Sequence, residues 1–154
     1  MAQRLGEGKD DNLFLVVLGV IGLKLMLGIR QVDDLRMFDE TLYLSSGIHL
    51  PEQGLPDAQW GPLYALWYYG LSRLQPDPIA LHFLNQQVLM VTTAIALYLL
   101  LRSLQIHPII AFVTVWIYQI SAIGHIDPRP THFALLILLM VLALLNRVQS
   151  PLAY

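Results

Sequence analysis

The chain has 154 residues, one domain's worth, with 56% apolar and 13% charged residues, a mean hydropathy of +0.57 and a formal net charge of −2. Soluble domains carry about 25% charged residues, so the shortfall points to lipid as the solvent, and the slight negative balance gives no reason to expect a nucleic-acid partner. The lack of cysteine excludes disulfides, thiolate metal sites and cysteine nucleophiles.

The first apolar stretch is Leu13–Ile29, broken only by Lys24. Its amino-terminal flank mixes Arg4 and Lys9 with Glu7, Asp10 and Asp11, and no A-x-A site follows. Those features favour a retained anchor over a cleaved signal peptide. A long connection, Arg30–Pro78, comes next. It carries the acidic pair Asp39–Glu40 in "RMFDETLYLSSG", then the turn-rich "LPEQGLPDAQ", then "WGPLYALWYYGLSRL". The pattern predicts two short helices, about 38–49 and 62–74, with a kinked link between them. Pro62 suits a first helical turn, and 13 residues reach only ~20 Å, too short to span. Trp60, Tyr64, Trp67 and Tyr68 fall along one face of this helix, which predicts a helix lying at the membrane–water boundary. A short, tilted fifth span is the alternative.

Three further apolar segments run over about 79–104, 109–124 and 130–145. With the first they make four segments of 16 to 26 residues, against the ~20 needed to cross hydrocarbon. The predicted fold is therefore an all-α integral membrane domain over 1–154. It has four transmembrane helices and two short helices in the first loop. Four spans put both termini on one side. Arg4, Lys9, Arg102 and Arg147 balance Arg30, Arg36, Arg73 and Arg129, so charge counting leaves the orientation open.

Polar residues inside spans are expensive, so where they fall is informative. His82, Asn85, Gln86 and Thr93 lie near one face of the second span, and Gln119 lies in the last turn of the third. The following link, "GHIDPRPTH", carries His125, Asp127, Arg129 and His132. Alternating helix directions bring all of these to the surface that carries Asp39 and Glu40. Each residue alone is better explained as a helix–helix hydrogen bond or a wet turn. Their convergence beside an aromatic helix predicts a polar pocket at the interface. The histidine spacing matches no zinc signature, and paired in-span histidines that would bracket a haem are missing. The sequence names no cofactor and leaves a divalent metal open.

An anchor, then an acidic pair on a short loop helix, then an aromatic "P-L-Y" helix, then further spans: this order resembles the amino-terminal module of the GT-C-fold glycosyltransferases. That superfamily includes protein O-mannosyltransferases and bacterial aminoarabinose transferases. "FDETLY" is similar to their first-loop acidic motif and "WGPLYALWYYGLSRL" to their second loop helix; "DPRPTHFALLILLM" is similar to a later stretch. The family's basic or histidine residue ahead of the prolines is Trp60 here, and its first proline is Gly61. The resemblance implies transfer of a sugar from a polyprenyl-phosphate donor on the extracytoplasmic face. It implies cytoplasmic termini and an extracytoplasmic Arg30–Pro78 loop. Asp39 would hold the position of the catalytic base, with Glu40 supporting the acceptor or the electrostatics. Arg129 or Arg36 would face the departing phosphate. Trp60, Tyr64, His82, Gln86, Asp127, Arg129 and His132 are the candidate substrate-binding side chains. The expected partners are the bilayer, the lipid-linked sugar and other membrane chains. The alternative is a non-catalytic GT-C-derived subunit packed in a larger membrane complex. The chain stops after the fourth span, so the expectation is an amino-terminal fragment, one half of a split enzyme, or a small relative that kept the fold and lost the activity.

Overall fold

The computed structural model describes residues 3–27, 40–56, 61–122 and 130–149. Seven helices and no strands occur among them: α1 (Gln3–Met26), α2 (Glu40–Ile48), α3 (Leu50–Gln53), α4 (Pro62–Ser72), α5 (Pro78–Ser103), α6 (Pro108–Ala122) and α7 (Pro130–Gln149). The all-α expectation therefore holds for the described residues. By length and composition, α5 is the one described helix that passes as a membrane span. Helices α6 and α7 are apolar but shorter in their apolar extent.

Prolines mark the helix starts. Pro62, Pro78, Pro108 and Pro130 each open a helix, where the missing N–H would have had no partner and the fixed φ already suits the helix. Asp77 reinforces the start of α5 by accepting from the Ala80 N–H at 2.8 Å. Gly61, with φ 62°, supplies the left-handed turn ahead of α4.

Helix α5 is the hub. It packs against α1, α4, α6 and α7, so two apolar cores share it. One core joins Leu44 of α2 and Tyr64, Tyr68 and Leu71 of α4 to Leu81 and Leu89 of α5 and Phe133 and Leu136 of α7. The other joins Leu18 of α1 to Ala94 and Tyr98 of α5 and Ala111 and Val115 of α6. Small residues at that second contact let helix backbones approach closely, which packs apolar helices without a gradient of hydrophobicity between them. Large apolar side chains remain on the outside, among them Val16 and Val20 of α1, Trp116 and Ile117 of α6, and Leu138 and Leu144 of α7.

The boundaries differ from the sequence expectation at several points, including the end of α7 at Gln149 rather than 145, and three of the differences bear on the loop and on α1. Helix α1 begins at Gln3 rather than Leu13. Its polar flank belongs to the helix because Asp11 has a partner. The Asp11 carboxylate accepts from Arg102 Nε at 2.7 Å, Arg102 Nη2 at 3.2 Å and the Tyr98 hydroxyl at 2.6 Å. The third Arg102 nitrogen, Nη1, donates to the Ile106 carbonyl at 2.6 Å and ties in the turn after α5. Within "LPEQ" the kinked link contains one helical turn, α3, so the loop holds three short helices among the described residues, not two. Helix α4 stops at Ser72, with Arg73 as its cap.

Helix α4 turns back at residues 73–77 and lies against the first half of α5, with Leu71 and Leu81 in one core. This overturns the expectation that its aromatic face meets the membrane–water boundary. Tyr64 and Tyr68 are buried, and the exposed face is Leu63, Leu66 and Gly70. The cause is polar: the phenols serve as donors to an internal acceptor, described below.

Gly47 allows α2 to sit on α4. A Cβ there would lie 2.4 Å from Tyr68 Cβ and 3.0 Å from the Ala65 carbonyl oxygen, neither of which can retreat without moving a helix. Gly70, on the outer face of α4, has nothing within 4 Å of a built Cβ. Gly47→Ala is expected to destabilise the protein by about 1–3 kcal/mol through overpacking. Gly70→Ala should raise stability by about 0.5–1 kcal/mol through helix propensity. Denaturant unfolding of the two variants in detergent checks the opposite signs.

Candidate functional site: a carboxylate buried among phenols

Glu40 opens α2 and is only 7% exposed. A carboxylate placed there needs hydrogen-bond donors, or its burial would undo the fold. Helix α4 supplies two of them at i, i+4 spacing, which puts both phenols on the face that meets α2. The Tyr64 hydroxyl donates to Glu40 Oε1 at 2.5 Å, and the Tyr68 hydroxyl donates to the same oxygen.

The third donor comes from α5. Asn85, fully buried, sends its amide nitrogen toward the Tyr64 and Tyr68 hydroxyl oxygens at 2.8 Å each, and toward Glu40 Oε1 at 3.3 Å. The Asn85 carbonyl oxygen in turn accepts from the Trp67 indole N–H at 2.7 Å. Donation therefore runs in one direction, from indole to amide to phenol to carboxylate. Each bond polarises the next in a medium of low dielectric. Phe133 of α7 closes the network on the apolar side, 5.3 Å from the Tyr64 ring and 5.5 Å from Trp67.

The environment holds the two phenols protonated. Burial, followed by the Glu40 charge and the hydrogen bond to it, pushes the Tyr64 hydroxyl far above the ordinary tyrosine range. Burial, followed by the charges of Tyr64 and Glu40, pushes Tyr68 up further. Both remain hydrogen-bond donors across the physiological range.

Of the sequence-predicted site residues, the structure brings Glu40 and Tyr64 into direct contact. His82, one turn before Asn85, and Gln86, next to it in the chain, are both buried, with the His82 ring edge-on to Phe83 at 5.5 Å. His132 is half-buried in the first turn of α7, beside Phe133. Asp39, Trp60, Asp127 and Arg129 lie outside the described residues, as do Arg36 and His125. Gln119 does not join this site. It is buried on α6, where its amide donates at 3.1 Å to the Leu18 carbonyl oxygen of α1, beside Gly22. Tyr68 and Trp67 were absent from the predicted set. Their spacing to Tyr64 was visible, but an aromatic stripe reads equally as a membrane-facing belt until an internal acceptor is known. Among the described residues no group of histidines and carboxylates has the arrangement to hold a metal ion.

Because the folded protein raises both phenol pKa values, the stability they contribute is complete below about pH 10, the unfolded value, and drains away as pH rises beyond it. The wild-type protein should therefore lose stability steeply in alkali, and two of its seven tyrosines should ionise only as it unfolds. In the Tyr64→Phe/Tyr68→Phe variant that alkaline slope should flatten, while stability at neutral pH falls by about 1–3 kcal/mol because Glu40 is left without phenol donors. Phenolate absorbance and unfolding, recorded together against pH, check both.

Comparison of the chain with protein-family models, with curated proteins and with solved structures finds no match.

Proposed function

We propose that the protein is a multi-pass membrane glycosyltransferase module of GT-C type that transfers a sugar from a polyprenyl-phosphate donor. In this reading α1, α5, α6 and α7 are four spans and α2 to α4 belong to the extracytoplasmic loop. The outward-facing valines, leucines and isoleucines of α1, α6 and α7 support a lipid surrounding, since contiguous apolar surface of that extent suits a bilayer.

One observation carries the functional reading. The two loop segments that bear the resemblance, "FDETLY" and "PLYALWYY", are joined to each other and to α5 through Glu40, Tyr64, Tyr68 and Asn85. Glu40 is thus a positioning residue: its anchored carboxylate fixes the backbone next to Asp39. Asp39 is the proposed base. It takes the proton from an acceptor hydroxyl as that oxygen bonds to the anomeric carbon and the sugar–phosphate bond breaks with inversion. The polyprenyl phosphate leaves with the bonding electrons, and Arg36 or Arg129 balances its charge. His82, Gln86, His132 and Asp127 would line the acceptor or sugar side.

A second reading, a non-catalytic subunit of a membrane complex, has one observation in its favour. Glu40 is already occupied by phenols and an amide, the condition of a structural pin.

Asp39→Asn is expected to abolish release of polyprenyl phosphate from a polyprenyl-phosphate sugar while leaving thermal unfolding in detergent unchanged. Undiminished release in that variant removes Asp39 from the chemistry. No release by the wild-type protein, combined with stable co-purification of other membrane chains and indifference to Asp39→Asn, establishes the subunit reading.

A further inference from the structure

The helix bundle is shorter than its longest helix. No residue of α5 between Leu81 and Ser103 is exposed, so its 26-residue length does not face the surroundings. The outer surface belongs to α1, α6 and α7. Through the two separate cores, α1 and α6 cover one side of α5 and α7 covers another, so their outward faces point in different directions.

Side-chain contacts fix the level of each helix. At the end away from the loop helices, the Asp11 carboxylate of α1 accepts from Tyr98 and Arg102. There Asn146 of α7 donates to the Ser103 carbonyl oxygen at 2.6 Å, and exposed His107 stands just before α6. These groups make one polar layer. Toward the other end, Gly22 of α1 abuts Val91. Phe133 of α7 lies 5.5 Å from Trp67, whose indole donates to Asn85. Close to those contacts stand exposed Lys24 on α1, exposed Ser121 on α6, and exposed Thr131 with half-buried His132 on α7. They make a second polar layer, level with residues 85–91 of α5, and α4 and the first turns of α5 stand beyond it.

Between the layers the outer faces are apolar, with Val16 and Val20 of α1, Val113 and Ile117 of α6, and Leu138 and Val141 of α7 all exposed. The height of this band is the same on each helix. Lys24 follows Asp11 by 13 residues, Ser121 follows His107 by 14, and Asn146 follows His132 by 14. At ~1.5 Å per residue each interval is about 20 Å, and counting α1 as far as exposed Leu27 makes about 24 Å. A typical bilayer core is about 30 Å thick. A helix that is too long can tilt, but one that is too short cannot lengthen. The ties at both ends also stop the three outer helices from sliding past one another. A second protein chain would cover one face, whereas a band of matched height on three helices fits a fluid layer of fixed thickness.

We infer that the bundle is matched to a hydrocarbon layer of about 20–24 Å, so that it thins an ordinary bilayer around itself and takes short-chain phospholipid as its preferred neighbour. This rests on the membrane reading proposed above, though not on sugar transfer. Thinning carries the headgroup phosphates down to the level of Asn85 and the loop helices.

The cysteine-free sequence makes the test direct. Full-length protein carrying Thr131→Cys, Leu138→Cys or His107→Cys is labelled with a fluorophore and placed in dioleoylphosphatidylcholine nanodiscs, which leave both faces open to solutes. Brominated lipid is expected to quench the Leu138→Cys label alone, and aqueous iodide the two end labels. Lipid quenching of either end label without iodide quenching means that hydrocarbon of ordinary depth covers that end. That result overturns the inference while the membrane reading stands. Iodide quenching of all three labels overturns the membrane reading itself. A Leu138→Cys label shielded from both quenchers means that protein covers the band and also overturns the inference. Brominated dimyristoleoyl- and dierucoylphosphatidylcholine are then each competed against the dioleoyl lipid. The short-chain lipid should associate beside Leu138→Cys about threefold or more tightly than the long-chain one. Equal association, or the reverse order, refutes the thickness match.

Discussion

A carboxylate in a dry interior must be surrounded by donors, and Glu40 draws three helices together to meet that demand. Its side chain sits on α2, its phenols come from α4 and its amide from α5. Each donor lost leaves this buried acceptor less well satisfied, and because the bonds polarise one another the network is cooperative rather than a sum of pairs. Packing obeys the same demand: Gly47 has no side chain because one would stand where α4 must be for its phenols to reach Glu40. The aromatic residues around the network, including Phe133, exclude water from it. Exclusion in turn strengthens every bond inside.

Much of the helical frame was legible in the sequence. The apolar run alone placed the central helix at about 79–104, and it occupies Pro78–Ser103. The early start of α1 was not legible, since the reason lies some ninety residues away in Arg102. A charge-rich flank looks like solvent-exposed chain until its ion-pair partner is known. The single turn α3 was hidden by prolines and glycines that read as breakers, although Pro51 sits where a helix start tolerates it.

The site was half legible. The acidic pair and the loop aromatics stood out, but the sequence could not say that two of those aromatics face inward. A Trp/Tyr stripe has the same spacing whether it lines a membrane boundary or a protein core. What separates the cases is the presence of a buried acceptor, and Glu40 was grouped with Asp39 as a catalytic pair rather than seen as that acceptor. Gln119 shows the opposite error. It lies near Val91 in the middle of α5 and on the α1 side, where it bonds to a backbone carbonyl. Helix direction sets the depth of a side chain, and only rotation about the helix axis decides which neighbour it meets.

The two polar ties on α5 have a mechanical consequence. Asn85 holds one end to the loop helices and Tyr98, with Arg102, holds the other to α1. Thirteen residues separate Asn85 from Tyr98, about 20 Å along a helix. A rod pinned at both ends cannot slide like a piston, because a shift of one turn would break both anchors at once. The central rod therefore carries the loop helices at one end and α1 at the other as a single frame.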